Sequence, residues 1–99
     1  MRRYIHSKAF ARHKKHERIQ RQSSERVLEA MSADQRKILR LSAEGYAASE
    51  IARELALPLD YVSDFMTGLV QRLTHDHLIP SPEWRNVLHW AEAMGCLAV

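Results

Sequence analysis

Two groups of histidines have spacings that occur in metal sites. His13 and His16 form a His-x-x-His pair close to His6, and His75 and His77 form a His-x-His pair. Imidazole nitrogens bind zinc when further Cys, His or carboxylate ligands complete the coordination. No paired cysteines and no dedicated carboxylates accompany either group, so we expect no metal site. We interpret the second group as part of a polar loop.

The chain has no recognisable set of catalytic residues. No nucleophile has a visible base partner, and the glycines at 45, 68 and 95 are too scattered for a phosphate-binding loop. The single cysteine, Cys96, excludes an internal disulfide and suits a reducing cytoplasm. Its apolar setting, GCLAV, is typical of a small buried residue. We therefore expect a cytoplasmic protein that is not an enzyme and needs no cofactor.

Basic residues are concentrated near the start of the chain, where they could bind the phosphates of a nucleic acid. Residues 1–30 contain nine basic and three acidic side chains, whereas residues 31–99 contain six basic and nine acidic ones. This asymmetry predicts a basic N-terminal arm, 1–30, on a mildly acidic domain, 31–99. Tyr4 and Phe10 could stack on bases, and the alternative is a disordered, solvated tail. The candidate phosphate contacts are Arg2, Arg3, Lys8, Arg12, Lys14, Lys15 and Arg18.

Length and composition predict one small soluble domain. The chain has 99 residues, and its hydrophobic share of 45% is ordinary for a globular protein. No run of about 18 apolar residues is present, so we expect no membrane-spanning helix. No apolar run follows the basic start MRRYIHSKAF, so we expect no secretory signal.

Hydrophobic periodicity predicts an all-α fold. Apolar residues recur at helical spacing over about 33–44, 48–56, 59–74 and 82–94, and no strand pattern or internal repeat is present. The predicted buried residues are Ile38, Leu41, Ile51, Leu55, Val62, Leu69, Leu73 and Leu88.

Helix boundaries are marked by capping residues. Ser32 and Gln35 have the spacing of a capping box at the start of the first of these helices. Gly45 and Gly95 are predicted to end the first and last helices. The sequence SPE at 81–83 predicts the start of the last helix, with the serine as N-cap and the proline as the first helical residue.

A further short helix is predicted at the end of the arm. Ser23 and Ser24 interrupt the preceding pattern and could cap a helix that contains Val27, Leu28 and Met31. The lack of Gly and Pro before these serines also allows a helix there. No continuous apolar stripe is present in that part of the arm, so a well-buried helix is not expected.

Four short motifs follow one another along the predicted helices. They are ILRLSAEG in the first, EIARELAL in the second, Val62, Leu69 and Arg72-Leu73 in the third, and VLHWAEAMGCL in the fourth. With these motifs, residues 31–97 resemble the DNA-binding domain of the LuxR/FixJ/GerE family. The resemblance implies a four-helix, LuxR-type helix-turn-helix module. In such a module the third helix recognises DNA and the fourth often pairs subunits.

The third helix departs from this family at most of its DNA-contact positions. Pro58 replaces a capping Ser or Thr, Tyr61 a Thr, Ser63 a Lys or Arg, and Phe65 a His. Arg72 matches the late Lys of the family. The resemblance thus implies Tyr61, Ser63 and Arg72 as candidate DNA contacts.

The same helix also carries two acids near its start. Asp60 and Asp64 would bring negative charge toward a polyanion, whereas DNA affinity comes largely from cations. Tyr61 and Phe65 are four residues apart and share a helix face. Either the two side chains form an exposed patch, or Phe65 belongs to the core and Tyr61 covers it. The candidate partner-binding residues are therefore Asp60, Tyr61 and Asp64.

The last helix has more apolar residues than one inner face needs. Such a surplus is typical of a symmetric dimer, and aromatic residues are enriched at interfaces. The candidate dimer contacts are Trp84, Leu88, Trp90 and Met94. The alternative is that one tryptophan packs onto the first helix of the same domain.

These patterns lead to three hypotheses. The first is a small transcription regulator of bacterial or phage type, with a LuxR-like helix-turn-helix and DNA association helped by the basic arm. The second is an antiactivator or coregulator that binds a transcription activator or RNA polymerase through the acidic third helix. The third is a dimerisation module that uses the last helix.

Overall fold

The computed structural model of the chain describes residues 21–97. Within this range all regular structure is helical, which confirms the prediction of an all-α fold. Residues 21–29 are helical and are named α1. The helices that follow are α2 (Ala33–Ala43), α3 (Ala48–Leu55), α4 (Leu59–His75) and α5 (Trp84–Ala93). The candidate phosphate contacts Arg2, Arg3, Lys8, Arg12, Lys14, Lys15 and Arg18, the stacking candidates Tyr4 and Phe10, and the histidines 6, 13 and 16 lie outside the described residues.

The helices α2 to α5 all end in the same way. A residue with positive φ follows each helix, at Gly45 (101°), Ala56 (54°), His77 (57°) and Gly95 (75°). The amide of the next residue then donates to a carbonyl five positions back, in the pairs Tyr46 to Leu41, Leu57 to Ala52, Leu78 to Leu73 and Cys96 to Ala91. This is the Schellman motif, which supplies donors to the last carbonyls of a helix. The two ends predicted at glycine are confirmed, and two further ends use alanine and histidine.

The observed start of α2 agrees with the start predicted from the sequence, and the observed start of α5 differs from it. The amide of Gln35 donates to Ser32 Oγ (3.1 Å) and the amide of Ser32 donates to Gln35 Oε1 (3.0 Å), so the predicted capping box is confirmed. The predicted start of the last helix at Pro82 is wrong, because α5 begins at Trp84 with Glu83 as N-cap. Residues 81–83 instead form a tight turn, in which the amide of Glu83 donates to the carbonyl of Ser81 (2.8 Å).

The predicted capping role of Ser23 and Ser24 is wrong as well, because both serines lie inside α1. Ser24 is buried, and its Oγ accepts a hydrogen bond from Trp90 Nε1 at 2.8 Å. A buried indole N–H needs an acceptor, and a small hydroxyl on the neighbouring helix supplies one.

Two clusters of buried side chains form the core. Cluster A joins α2, α3 and α4 and consists of Ile38, Ile51, Ala52 and Val62. Cluster B joins α1, α2, α4 and α5 and consists of Val27, Met31, Leu39, Leu69, Leu73, Ile79, Val87, Trp90 and Ala91. The half-buried ring of Phe65 packs against both clusters. Val27 thus packs with the helices that follow it, while the predicted division of the chain at residue 30 stays a prediction.

The predicted core is mostly confirmed. Ile38, Ile51, Val62, Leu69 and Leu73 are buried. Leu41, Leu55 and Leu88 are only half-buried, so their prediction as core residues is wrong. The first two pack at the edge of cluster A, where a groove between α2 and α3 leaves one side open.

Candidate functional site

The turn between α3 and α4 fixes the direction of α4. Ala56 has left-handed backbone angles, φ 54° and ψ 43°, and the amide of Leu57 donates to the carbonyl of Ala52 at 2.9 Å. Pro58 follows with φ −60° and acts as the N-cap residue of α4. As a result Val62 points into cluster A, and the opposite side of α4 is left at the surface.

The surface side of α4 is acidic in its first half. Asp60, Tyr61 and Asp64 are exposed, and residues 59–71 contain no Lys or Arg. Leu59 and Tyr61 are 48% and 38% exposed, two of the three large hydrophobic residues that stand at the surface between 21 and 97. Phe65 is half-buried against the core and Tyr61 is not. Their shared helix face therefore has an inner phenylalanine and an outer tyrosine.

The three α4 residues implied as DNA contacts do not form one group. Tyr61 is exposed and Ser63 is half-buried. Arg72 lies eleven residues after Tyr61, about 16 Å further along the helix axis. Its Nε lies 3.6 Å from Asp76 Oδ2, and this exposed pair of opposite charges contributes little to stability.

A shallow groove runs beside the acidic half of α4, between this helix and the end of α1. Its volume is about 250 Å³, and Met31, Phe65 and Gly68 form part of its floor. Asp64 and Arg72 lie along its α4 side. Drug-sized ligands occupy cavities of about 300–1,000 Å³, so a groove of this size suits single side chains of a protein partner better.

Sequence reasoning missed a cationic side of α2, named here the α2 cation cluster and formed by Arg36, Lys37 and Arg40. Arg36 Nη2 donates to the carbonyl of Leu28 at 2.8 Å, which holds this guanidinium against the end of α1. A groove of about 230 Å³ is lined by Lys37, Arg40, Leu41, Glu54 and Leu55. The signal in the sequence was three cations within five residues.

The apolar surplus of α5 packs within the chain. Trp90 is buried and bonded to Ser24, and the half-buried Trp84 donates from Nε1 to Ser42 Oγ at 2.6 Å. Leu88 and Met94 are half-buried and pack against cluster B. The dimer stays a prediction. Of its four candidate contacts, only Trp84, Leu88 and Met94 are partly exposed.

Cys96 is half-buried beside α2. Burial raises the pKa of its thiol, and the charges of Arg36 and Arg40 offset part of that increase. A thiol with a raised pKa is a weak nucleophile at neutral pH.

His75 ends α4 and His77 follows in the left-handed turn. Between residues 21 and 97 no group of three His, Cys, Asp or Glu side chains could hold a metal ion.

No protein-family model, curated protein or solved structure matches the chain. The protein is therefore classified by its fold alone. In residues 21–97 it is a small all-α protein with an acidic helix face at its surface. No helix in the described part of the chain is both long and apolar enough to cross a membrane.

Proposed function

We propose that the protein is a small transcription regulator that associates with DNA, with α3, the turn 56–58 and α4 as its helix-turn-helix. The observation that carries this proposal is cluster A, in which Ile51 of α3 and Val62 of α4 pack together over Ile38 of α2. In a helix-turn-helix the second helix is held by such packing so that its first turns can enter the major groove. The first turns of α4 are exposed here.

The charges of α4 determine how DNA would be bound. With Asp60 and Asp64 at the surface, the first half of α4 repels phosphates, so the affinity has to come from cations elsewhere. The basic residues between Arg2 and Arg18 supply seven positive charges against one acid, Glu17. In this arrangement α4 makes limited base contacts through Tyr61 and Ser63, and the arm provides most of the phosphate contacts.

Fluorescence anisotropy with a labelled DNA duplex tests this function. The full chain should bind at low ionic strength, and log K should fall linearly with log salt. Replacement of the seven basic residues from Arg2 to Arg18 by Gln should weaken binding. The slope should then shrink by about 0.9 for each phosphate that the variant no longer neutralises. Absence of salt-dependent binding by the intact protein would rule out this function.

A second function is favoured by a specific observation: Leu59 and Tyr61 stand exposed beside Asp60 and Asp64. The two acids suit a basic protein surface. The exposed tyrosine suits an interface as well, because Tyr side chains are frequent interface anchors. On this alternative the protein is an antiactivator or coregulator that binds a transcription activator or RNA polymerase. Purified RNA polymerase is a direct probe, and Tyr61→Ala should weaken its binding as the loss of an interface anchor would.

A further inference from the structure

We infer that the α2 cation cluster is a binding site for the phosphate backbone of duplex DNA. This inference rests on the proposed DNA association and assigns phosphate contacts inside the folded helices, where α4 offers few. Lys37 and Arg40 are the two residues that would contact phosphates directly. Arg36 supports them with additional positive charge.

The positive charge of this cluster is concentrated, and within residues 21–97 it takes part in no ion pair. Three of the eight basic residues between 21 and 97 lie within residues 36–40. Arg72 and Arg85 have ion pairs with Asp76 and Glu83, whereas no described residue forms an ion pair with a member of the cluster. Glu54 lines the same groove as Lys37 and Arg40 without pairing with either.

Two of the three side chains of the cluster are restricted before any ligand arrives. The hydrogen bond from Arg36 to the carbonyl of Leu28 uses one of five guanidinium donors, and no other residue of the described range accepts from the remaining four. Arg40 is half-buried, which restricts its side chain, and Lys37 is exposed. Fixed cations lose less side-chain entropy on binding than freely rotating ones.

The position of the cluster relative to α4 suits a bound duplex. Lys37 and Leu55 line one groove, and Leu55 directly precedes the turn that leads into α4. A duplex that meets the first turns of α4 would thus bring neighbouring phosphates toward Lys37. Residues 37 and 40 are separated by about 4.5 Å along α2, and successive charges of one DNA strand are about 3.4 Å apart along the duplex axis, so the two side chains can reach neighbouring phosphates.

The test uses the full chain and the double variant Lys37→Gln, Arg40→Gln. Binding to a labelled duplex should weaken, and the slope of log K against log salt should shrink by about 1.8, or about 0.9 per phosphate. Arg36 is left unchanged so that its bond to the carbonyl of Leu28 is kept. The matched control is Arg53→Gln, Arg85→Gln, which removes the same charge at two exposed positions elsewhere and should leave the slope unaltered.

Two further measurements make the result decisive. The charge-preserving variant Lys37→Arg, Arg40→Lys should bind with the wild-type slope, which separates an effect of charge from an effect on folding. If the wild type binds DNA and the Lys37, Arg40 variant keeps the full slope, the inference is overturned and the proposed function stands. If the intact protein shows no salt-dependent binding to duplex DNA, both fall. A cluster-dependent preference for single-stranded RNA over the duplex would overturn the assignment to duplex DNA.

Discussion

The indole Nε1 of Trp90 donates a hydrogen bond of 2.8 Å to the Oγ of Ser24, a residue 66 positions earlier in the chain. Both residues are buried, so this bond connects α1 directly to α5 inside the core. It also explains the position of a serine in the middle of a helix, where serine is not a favoured residue.

Removal of this acceptor should destabilise the fold. Ser24→Ala leaves the indole N–H buried without a partner, and such a change costs about 1–3 kcal/mol of unfolding free energy. Urea denaturation followed by circular dichroism measures it. Ser23→Ala is the matched control, because Ser23 is half-buried and has no hydrogen bond from a described side chain. Equal stability of the two variants would show that the bond contributes nothing.

The turn before α4 should gain stability from a glycine. Ala56 has φ 54°, a conformation in which a Cβ costs roughly 1–2 kcal/mol. Ala56→Gly removes that strain but makes the unfolded chain more flexible, so we expect a net gain of up to about 1 kcal/mol. Ala43→Gly, in the last turn of α2, should instead lose about 0.5–1 kcal/mol. A fall in melting temperature for both variants would contradict the prediction.

The two apolar side chains of α3 should differ in their contribution to stability. Ile51 is fully buried in cluster A, and Leu55 lies half-buried at its edge. Ile51→Ala should cost about 2–5 kcal/mol, the usual range for large-to-small core changes. Leu55→Ala should cost clearly less, because it leaves a smaller cavity. Thermal unfolding of the two variants checks the order, and the reverse order would contradict the burial described for α3.

Reversal of the acidic charges of α4 should separate the two proposed functions. The double variant Asp60→Lys, Asp64→Lys removes repulsion between DNA phosphates and the side of α4 that would face the DNA. Nonspecific DNA binding should therefore become stronger. The same variant should lose binding to RNA polymerase if α4 is a protein-binding surface. Anisotropy and a polymerase binding assay on one preparation measure both effects. Unchanged DNA affinity would mean that this helix does not approach the phosphates.

Light scattering tests the predicted dimer. Two chains per particle at micromolar concentration would support association through Trp84, Leu88 and Met94. Leu88→Glu should then produce a monomer, whereas Glu92→Gln, at an exposed position on the same helix, should not. A monomer at high concentration would contradict the dimer, and the apolar surplus of α5 would then serve internal packing alone.

Local signals in the sequence predicted much of the fold. Ser32, Gln35, Gly45 and Gly95 have conformational or capping preferences that depend on near neighbours, and the structure agrees with each. The left-handed residue that ends α3 is Ala56, and no local preference of alanine indicates such a turn. Leu57 and Val62, which follow this residue, both pack in cluster A or against it, a long-range contact that the local sequence does not show.

Contacts between distant residues were beyond sequence reasoning. The partners of Trp84 and Trp90 are serines 42 and 66 positions away, and periodicity shows that a residue faces inward without showing what it meets. The same limit applied to the α2 cation cluster. Its three charges are visible in the sequence, but the groove that Lys37 and Arg40 share with Leu55 is a property of the packed helices.

The ring of Phe65 packs against both core clusters, the only such residue of the described chain. It therefore connects the half of the molecule that contains cluster A and α3 with the half that contains cluster B and α5. Opening of either half should accordingly loosen the other, so that the two behave as one cooperative unit.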